Sequence, residues 1–161
     1  MKKYLPLILV VPAMALAQDE MFLDAGLGAF STEGHSLSQV KFIKAGVQED
    51  IWDTFEHKMN VGGWLDSRGE GRTSSAFIGY QIGFDVRNDI LEVSVWSGPT
   101  LISSTDAALG GNFQFNETIF FGVRDKHDNV IGMAYNHFSS AGLEMPNMGK
   151  DFMCLEIKFP F

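Results

Sequence analysis

The sequence predicts an all-β chain, an eight-stranded antiparallel transmembrane β-barrel. Three observations carry that expectation. Apolar residues alternate with a period of two along most of the chain. The positions facing the other way include Gly, Asn, Gln, Glu and Lys. Short and long connections take turns between the alternating segments. A soluble sandwich also alternates, but there the apolar face is the interior. Polar inward positions suit a small barrel with a polar or tightly packed lumen and lipid outside.

The first element is a leader. In MKKYLPLILVVPAMALAQDE, Lys2 and Lys3 precede an apolar run from Leu5 to Met14, and Ala15-Leu16-Ala17 supplies small residues for cleavage. That three-part layout is a secretory signal peptide over 1–17, too short for a bilayer-spanning helix. Residues 18–161 then form one outer-membrane barrel domain.

Eight strands follow, at 21–30, 37–48, 54–66, 73–85, 90–101, 111–124, 129–139 and 150–161. Tilted strands of about 9–11 residues suffice to cross a bilayer. Alternation is clearest in the last three. Phe113, Phe115, Ile119, Phe121 and Val123 share one face of the sixth, opposite Gln114, Asn116, Thr118 and Arg124, with Phe120 among the latter. In the seventh, Ile131, Met133 and Tyr135 oppose Gly132, Ala134 and Asn136; in the eighth, Met153, Leu155, Ile157, Phe159 and Phe161 oppose Glu156 and Lys158. The turns EDIWD, VRND and DKHD are short, and STEGHS, SRGEGR, STDAALG and SAGLEMPNMG are longer. Short periplasmic turns opposite longer external loops fit a barrel with both termini in the periplasm.

Composition narrows the function. Twenty acidic residues face twelve basic ones, a net charge of −8, and losing the leader removes two of those lysines. Nucleic acid, which demands a basic surface, is not an expected partner. Cys154 is the only cysteine, so no internal disulfide forms, and its parity places it inward as inert packing. His35, His57 and His127 show no metal-ligand spacing, and neither a metal nor a cofactor is expected. Trp52, Trp64 and Trp96 belong either to an interfacial girdle or to the lumen.

The chemistry lies in NHFSSAGLEMPNMGKDF. Counting by twos from Ile131 through Tyr135 reaches His137 and then Ser139, so both face lipid. Counting back by twos from Phe161 reaches Asp151, which also faces outward. Strands seven and eight are adjacent and antiparallel, which brings the three side chains together at the outer-leaflet end. Polar groups clustered on a lipid face ask for a functional reason. Ser139 as nucleophile, His137 as base and Asp151 as its orienting acid make a constellation for acyl transfer. Glu144 is the alternative acid, although a loop position gives it no fixed facing. Arg68 and Arg72, in an expected external loop, are candidates for gripping phosphates through the guanidinium fork.

The same stretch resembles the C-terminal signature of the outer-membrane lipid A 3-O-deacylase (PagL) family. His137, Ser139, Ala141, Gly142, Pro146, Asn147, Gly149 and the acidic Asp151 match that family's His-x-Ser-Asn-Ala-Gly, Pro-Asn and Gly pattern, with its acid fourteen residues beyond the His. The resemblance implies an eight-stranded barrel hydrolysing the ester-linked acyl chain at the 3-position of lipid A. It also implies that Asn147 stabilises the oxyanion, with the backbone N–H of Gly142 as a second donor. Two positions depart from the pattern: Asp151 stands where Glu is usual, and Ser140 where Asn is usual. The competing expectation is a non-catalytic structural or adhesin-like outer-membrane barrel.

Overall fold

The computed structural model describes residues 20–27, 40–52, 55–66, 74–105, 109–145 and 147–160. Its strands are β1 (Glu20–Leu27), β2 (Val40–Trp52), β3 (Phe55–Asp66), β4 (Ser75–Arg87), β5 (Leu91–Ile102), β6 (Phe113–Arg124), β7 (Val130–Ser139) and β8 (Lys150–Pro160). They pair antiparallel in chain order and β8 pairs back onto β1, closing the barrel. Closure leaves no strand edge unpaired, which is what the hydrocarbon region demands of a sheet.

The period-two sequence sets which side of the wall each residue occupies. Along β4, Phe77, Gln81 and Asp85 are buried while Ile78, Ile82, Phe84 and Val86 are exposed. The same split runs through β5 and β6, where Val93, Val95, Ile119 and Phe121 are exposed. A continuous exposed apolar wall of this extent far exceeds the patches that water-soluble proteins tolerate. It is a surface for lipid.

The lumen is filled in two zones. Toward the end carrying the β7–β8 connection, Phe42, Trp64, Phe77, Phe138 and Phe152 form an aromatic plug. Phe42 stacks on Phe152 at 4.4 Å between centroids, and Phe138 meets Phe152 edge-on. Below it lies a polar zone. Lys44 Nζ sits 2.9 Å from Asp24 and donates to Asn136 Oδ1 at 2.6 Å. Thr118 donates to the same Asn136 oxygen, and Gln81 donates to Thr118. Nearer the opposite mouth, Glu92 takes both Lys158 and Arg124, while Lys58 lies 4.1 Å over the Trp96 ring. Buried charges are tolerable only when paired in this way. Trp64 and Trp96 are therefore lumen residues, and Cys154 faces inward, buried against Asn136.

Strand bounds differ from expectation mainly in β2, which runs four residues past Gln48. Of the expected turn EDIWD, residues 49–52 are strand. Glu49 pairs with His57 and Asp50 with Glu56, and Asp50 accepts a 2.8 Å bond from Arg87 on β4. The ladder shifts between Asp50 and Trp52, which absorbs the extra length as a bulge. The leader, SRGEGR and the side chain of Trp52 lie outside the described residues.

Candidate active site

His137 and Asp151 sit directly opposite each other in the β7–β8 ladder. Directly opposed residues have Cβ atoms about 5 Å apart, close enough for a short acid to reach the imidazole. His137 Nδ1 lies 2.6 Å from Asp151 Oδ1. The carboxylate accepts only if Nδ1 carries the proton, so the neutral ring presents Nε2 as its base. His137 and Asp151 side chains are 28 % and 17 % exposed, an enclosure that leaves the ring reachable from the lipid side. Ser139 follows His137 by two residues and so projects from the same face, half-buried, with Phe115 of β6 as its ladder partner.

Gly149 packs beside Cε1 and Nε2 of the imidazole. Its φ is +76°, and a Cβ there would lie 2.6 Å from His137 Cε1 and 3.3 Å from Nε2. Only glycine gives both that backbone turn and that close approach.

The loop beyond Ser139 is held from inside. Ser140 has the opposite parity from Ser139 and is fully buried. Its Oγ donates to the Glu144 carbonyl at 2.9 Å and accepts from the Glu144 N–H at 3.3 Å. The carbonyl of Ser140 takes the Leu143 N–H at 3.0 Å, and the two residues between, Ala141 and Gly142, have φ of 52° and 82°. That is the pattern of a type I′ turn. The hydroxyl of Ser140 thus organises the loop, so the position is not one that reaches a reacting carbonyl.

Asn147 Oδ1 accepts the Ser140 N–H at 2.8 Å. The backbone donor fixes which end of the amide is oxygen. Its Nδ2 is left with two hydrogens and no partner among the described residues. Gly142 occupies the turn, with nothing within 4 Å of where a Cβ would stand. Glu144 does not approach His137. A Cβ on Gly111, in the β5–β6 connection, would fall almost on the Glu144 carboxylate, which therefore lies over that neighbouring loop. Of the two acids considered, Asp151 is the one at the imidazole. Arg68 and Arg72 lie outside the described residues.

Three neighbours carry no role in the expectation from sequence. Gly149 is described above. Tyr135 donates its hydroxyl to Asp151 Oδ1 at 2.6 Å. Glu117, exposed on β6, is the ladder partner of His137 and puts a second carboxylate on the lipid-facing wall. Period-two counting already places all of these strand residues outward. What it lacks is register, which decides which outward residues meet.

An apolar groove of about 380 Å³ crosses the wall from β2 to β6, lined by Val47, Met59, Ile78, Tyr80, Pro99 and Phe113 among others. Pro99 pairs with Phe115 and Phe115 with Ser139. Phe113, also in the lining, lies two residues from Phe115 on β6; with strands about 4.8 Å apart and about 3.4 Å per residue, the near end of the groove is roughly 8 Å from the serine.

Among known proteins, the family model for lipid A 3-O-deacylase (PagL) matches residues 36–160. The chain is 40 % identical over 67 residues to the lipid A deacylase PagL of Bordetella bronchiseptica, a stretch covering 40 % of this chain and 38 % of that protein. The crystal structure of the outer membrane enzyme PagL shares the fold, with a TM-score of 0.63 and 19 % identity over 89 % of this chain and 99 % of that one.

Proposed function

Because the chain belongs to the lipid A 3-O-deacylase (PagL) family, we propose that it is an outer-membrane serine esterase that removes the ester-linked 3-hydroxyacyl chain from the 3-position of lipid A. The observation that carries this reading is the 2.6 Å His137–Asp151 bond on the lipid-facing wall, which leaves Nε2 free to act as a base. A structural barrel has no use for an acid–imidazole pair aimed at lipid, where ionisable groups are costly.

Ser139 Oγ attacks the ester carbonyl carbon as His137 Nε2 takes its proton. The carbonyl oxygen becomes an oxyanion, met by Asn147 Nδ2 and the Gly142 N–H. Collapse breaks the bond between the carbonyl carbon and the sugar oxygen. The imidazolium returns its proton to that oxygen, and the acyl group stays on Ser139. Water then enters, gives a proton to His137 and attacks the acyl-enzyme; collapse breaks the bond to Ser139 Oγ, His137 returns the proton to that oxygen, and the free 3-hydroxy fatty acid leaves. Asp151 stays ionised throughout and stabilises the imidazolium. The substrate reaches the site laterally within the outer leaflet, and the groove from Pro99 to Val47 offers an apolar surface to an acyl chain. Arg68 and Arg72 are proposed to meet the lipid A phosphates. Residues 1–17 are the export leader in this scheme.

Expression in a Gram-negative host followed by mass spectrometry of lipid A tests the reading. Loss of one 3-hydroxyacyl chain supports it. Unchanged lipid A from a correctly folded barrel sinks it in favour of a non-catalytic barrel, and a different mass change points to another acyl hydrolase.

A further inference from the structure

We propose that Tyr135 is a positioning residue of this site, its phenol holding the short acid Asp151 in the orientation that His137 requires. The inference rests on the esterase reading above. Two donors converge on one oxygen: the Tyr135 hydroxyl and the His137 Nδ1–H each stand 2.6 Å from Asp151 Oδ1.

Register explains how. Tyr135 faces Met153 across the ladder, and Asp151 is its diagonal neighbour two residues toward the outer end. Diagonal Cβ atoms are about 7–8 Å apart, within reach of an aromatic side chain but not of a small polar one. The phenol therefore extends along the wall and places its hydroxyl beside the carboxylate.

The need for it follows from the acid. Where the family pattern has Glu, this chain has Asp. His137 alone supplies one donor to Asp151, and a single bond leaves the carboxylate free to pivot. Water cannot supply the missing donor readily on a wall facing lipid, and a carboxylate with too few partners is costly there. A second charge-assisted bond to the same oxygen removes the pivot. The remaining oxygen and the imidazole plane are then both set, with Nδ1 on the acid and Nε2 free.

The test compares the wild-type barrel with Tyr135→Phe, which keeps the ring and removes only the hydroxyl. Folding is verified by heat-modifiable migration. Two rates are read in detergent: turnover of lipid A, and phosphonylation of Ser139 by a fluorophosphonate probe, which reports nucleophile activation without any lipid substrate. Tyr135→Phe is expected to lower kcat and the labelling rate together by about tenfold, the scale of a bond to a charged group, with KM little changed. In an Asp151→Asn background no carboxylate remains for the phenol to hold. There the same substitution is expected to change labelling by less than about twofold. Wild-type kcat and labelling in Tyr135→Phe, an effect on KM alone, or a full effect persisting in the Asn background would each overturn the proposal. Ser139→Ala separates the two levels. If it retains turnover, the reading of Ser139 as the nucleophile fails; if it is inactive while Tyr135→Phe is normal, only the role of Tyr135 fails.

Discussion

Replacing Gly149 by Ala puts a methyl group into the space the imidazole of His137 occupies. The added Cβ would stand 2.6 Å from Cε1, nearly 1 Å inside an ordinary carbon contact, and 3.2 Å from the Phe138 carbonyl on the other side. The backbone cannot yield easily, because φ is +76° and an L side chain pays about 1–2 kcal/mol to stay in the left-handed region. The ring must therefore swing away, pivoting on its bond to Asp151, and Nε2 is displaced with it. Misplacing a reacting group by about 1 Å costs on the order of 100-fold in rate. Gly149→Ala is thus expected to fold with a stability loss of about 1–2 kcal/mol by urea unfolding. Its deacylation rate is expected to fall on the order of 100-fold, with KM little changed. The assay is a time course of released 3-hydroxy fatty acid from detergent-solubilised lipid A. A folded variant with wild-type kcat would refute the claim that this glycine seats the catalytic imidazole.

Four further outcomes follow from the same geometry. Asp151→Asn is expected to cut kcat by about 10⁴-fold, because an amide oxygen no longer supports the imidazolium. Glu144→Gln, over Gly111 and away from the ring, is expected to leave kcat within about twofold, which the same fatty-acid assay compares directly. Lys44→Met strands the fully buried Asp24, and an unpaired buried charge costs about 3–5 kcal/mol, read as a lowered urea midpoint. Ala141→Gly relieves a residue held at φ 52° and is expected to raise stability by up to about 1 kcal/mol without loss of turnover.

Much of the barrel was legible because side-chain parity is strict in a strand. Alternation in 113–124 or 150–160 assigns a side of the wall to every residue at once, and the structure has the same sides. Parity likewise put His137, Ser139 and Asp151 outward. Boundaries were less legible where charge replaces apolar alternation. The acidic residues at 49–50 resemble a turn, yet they pair with β3, and Asp50 is held by Arg87, a residue 37 positions away. Diagonal contacts were hidden for another reason. An outward Tyr at position 135 fits any lipid-facing wall, and its bond to Asp151 depends on register and on the length of the phenol. The facing of Glu144 was undetermined in sequence because it follows a turn with two positive φ values, which parity cannot cross.

The central claim is that Ser139, and not its neighbour Ser140, carries the acyl group during turnover. Rapid acid quench of the purified barrel with lipid A, followed by digestion and mass spectrometry of the peptide spanning both serines, measures it directly. The expected result is a 3-hydroxyacyl adduct on Ser139 that appears before free fatty acid and is absent from Ser139→Ala. An adduct on Ser140, or full turnover by Ser139→Ala, would contradict it.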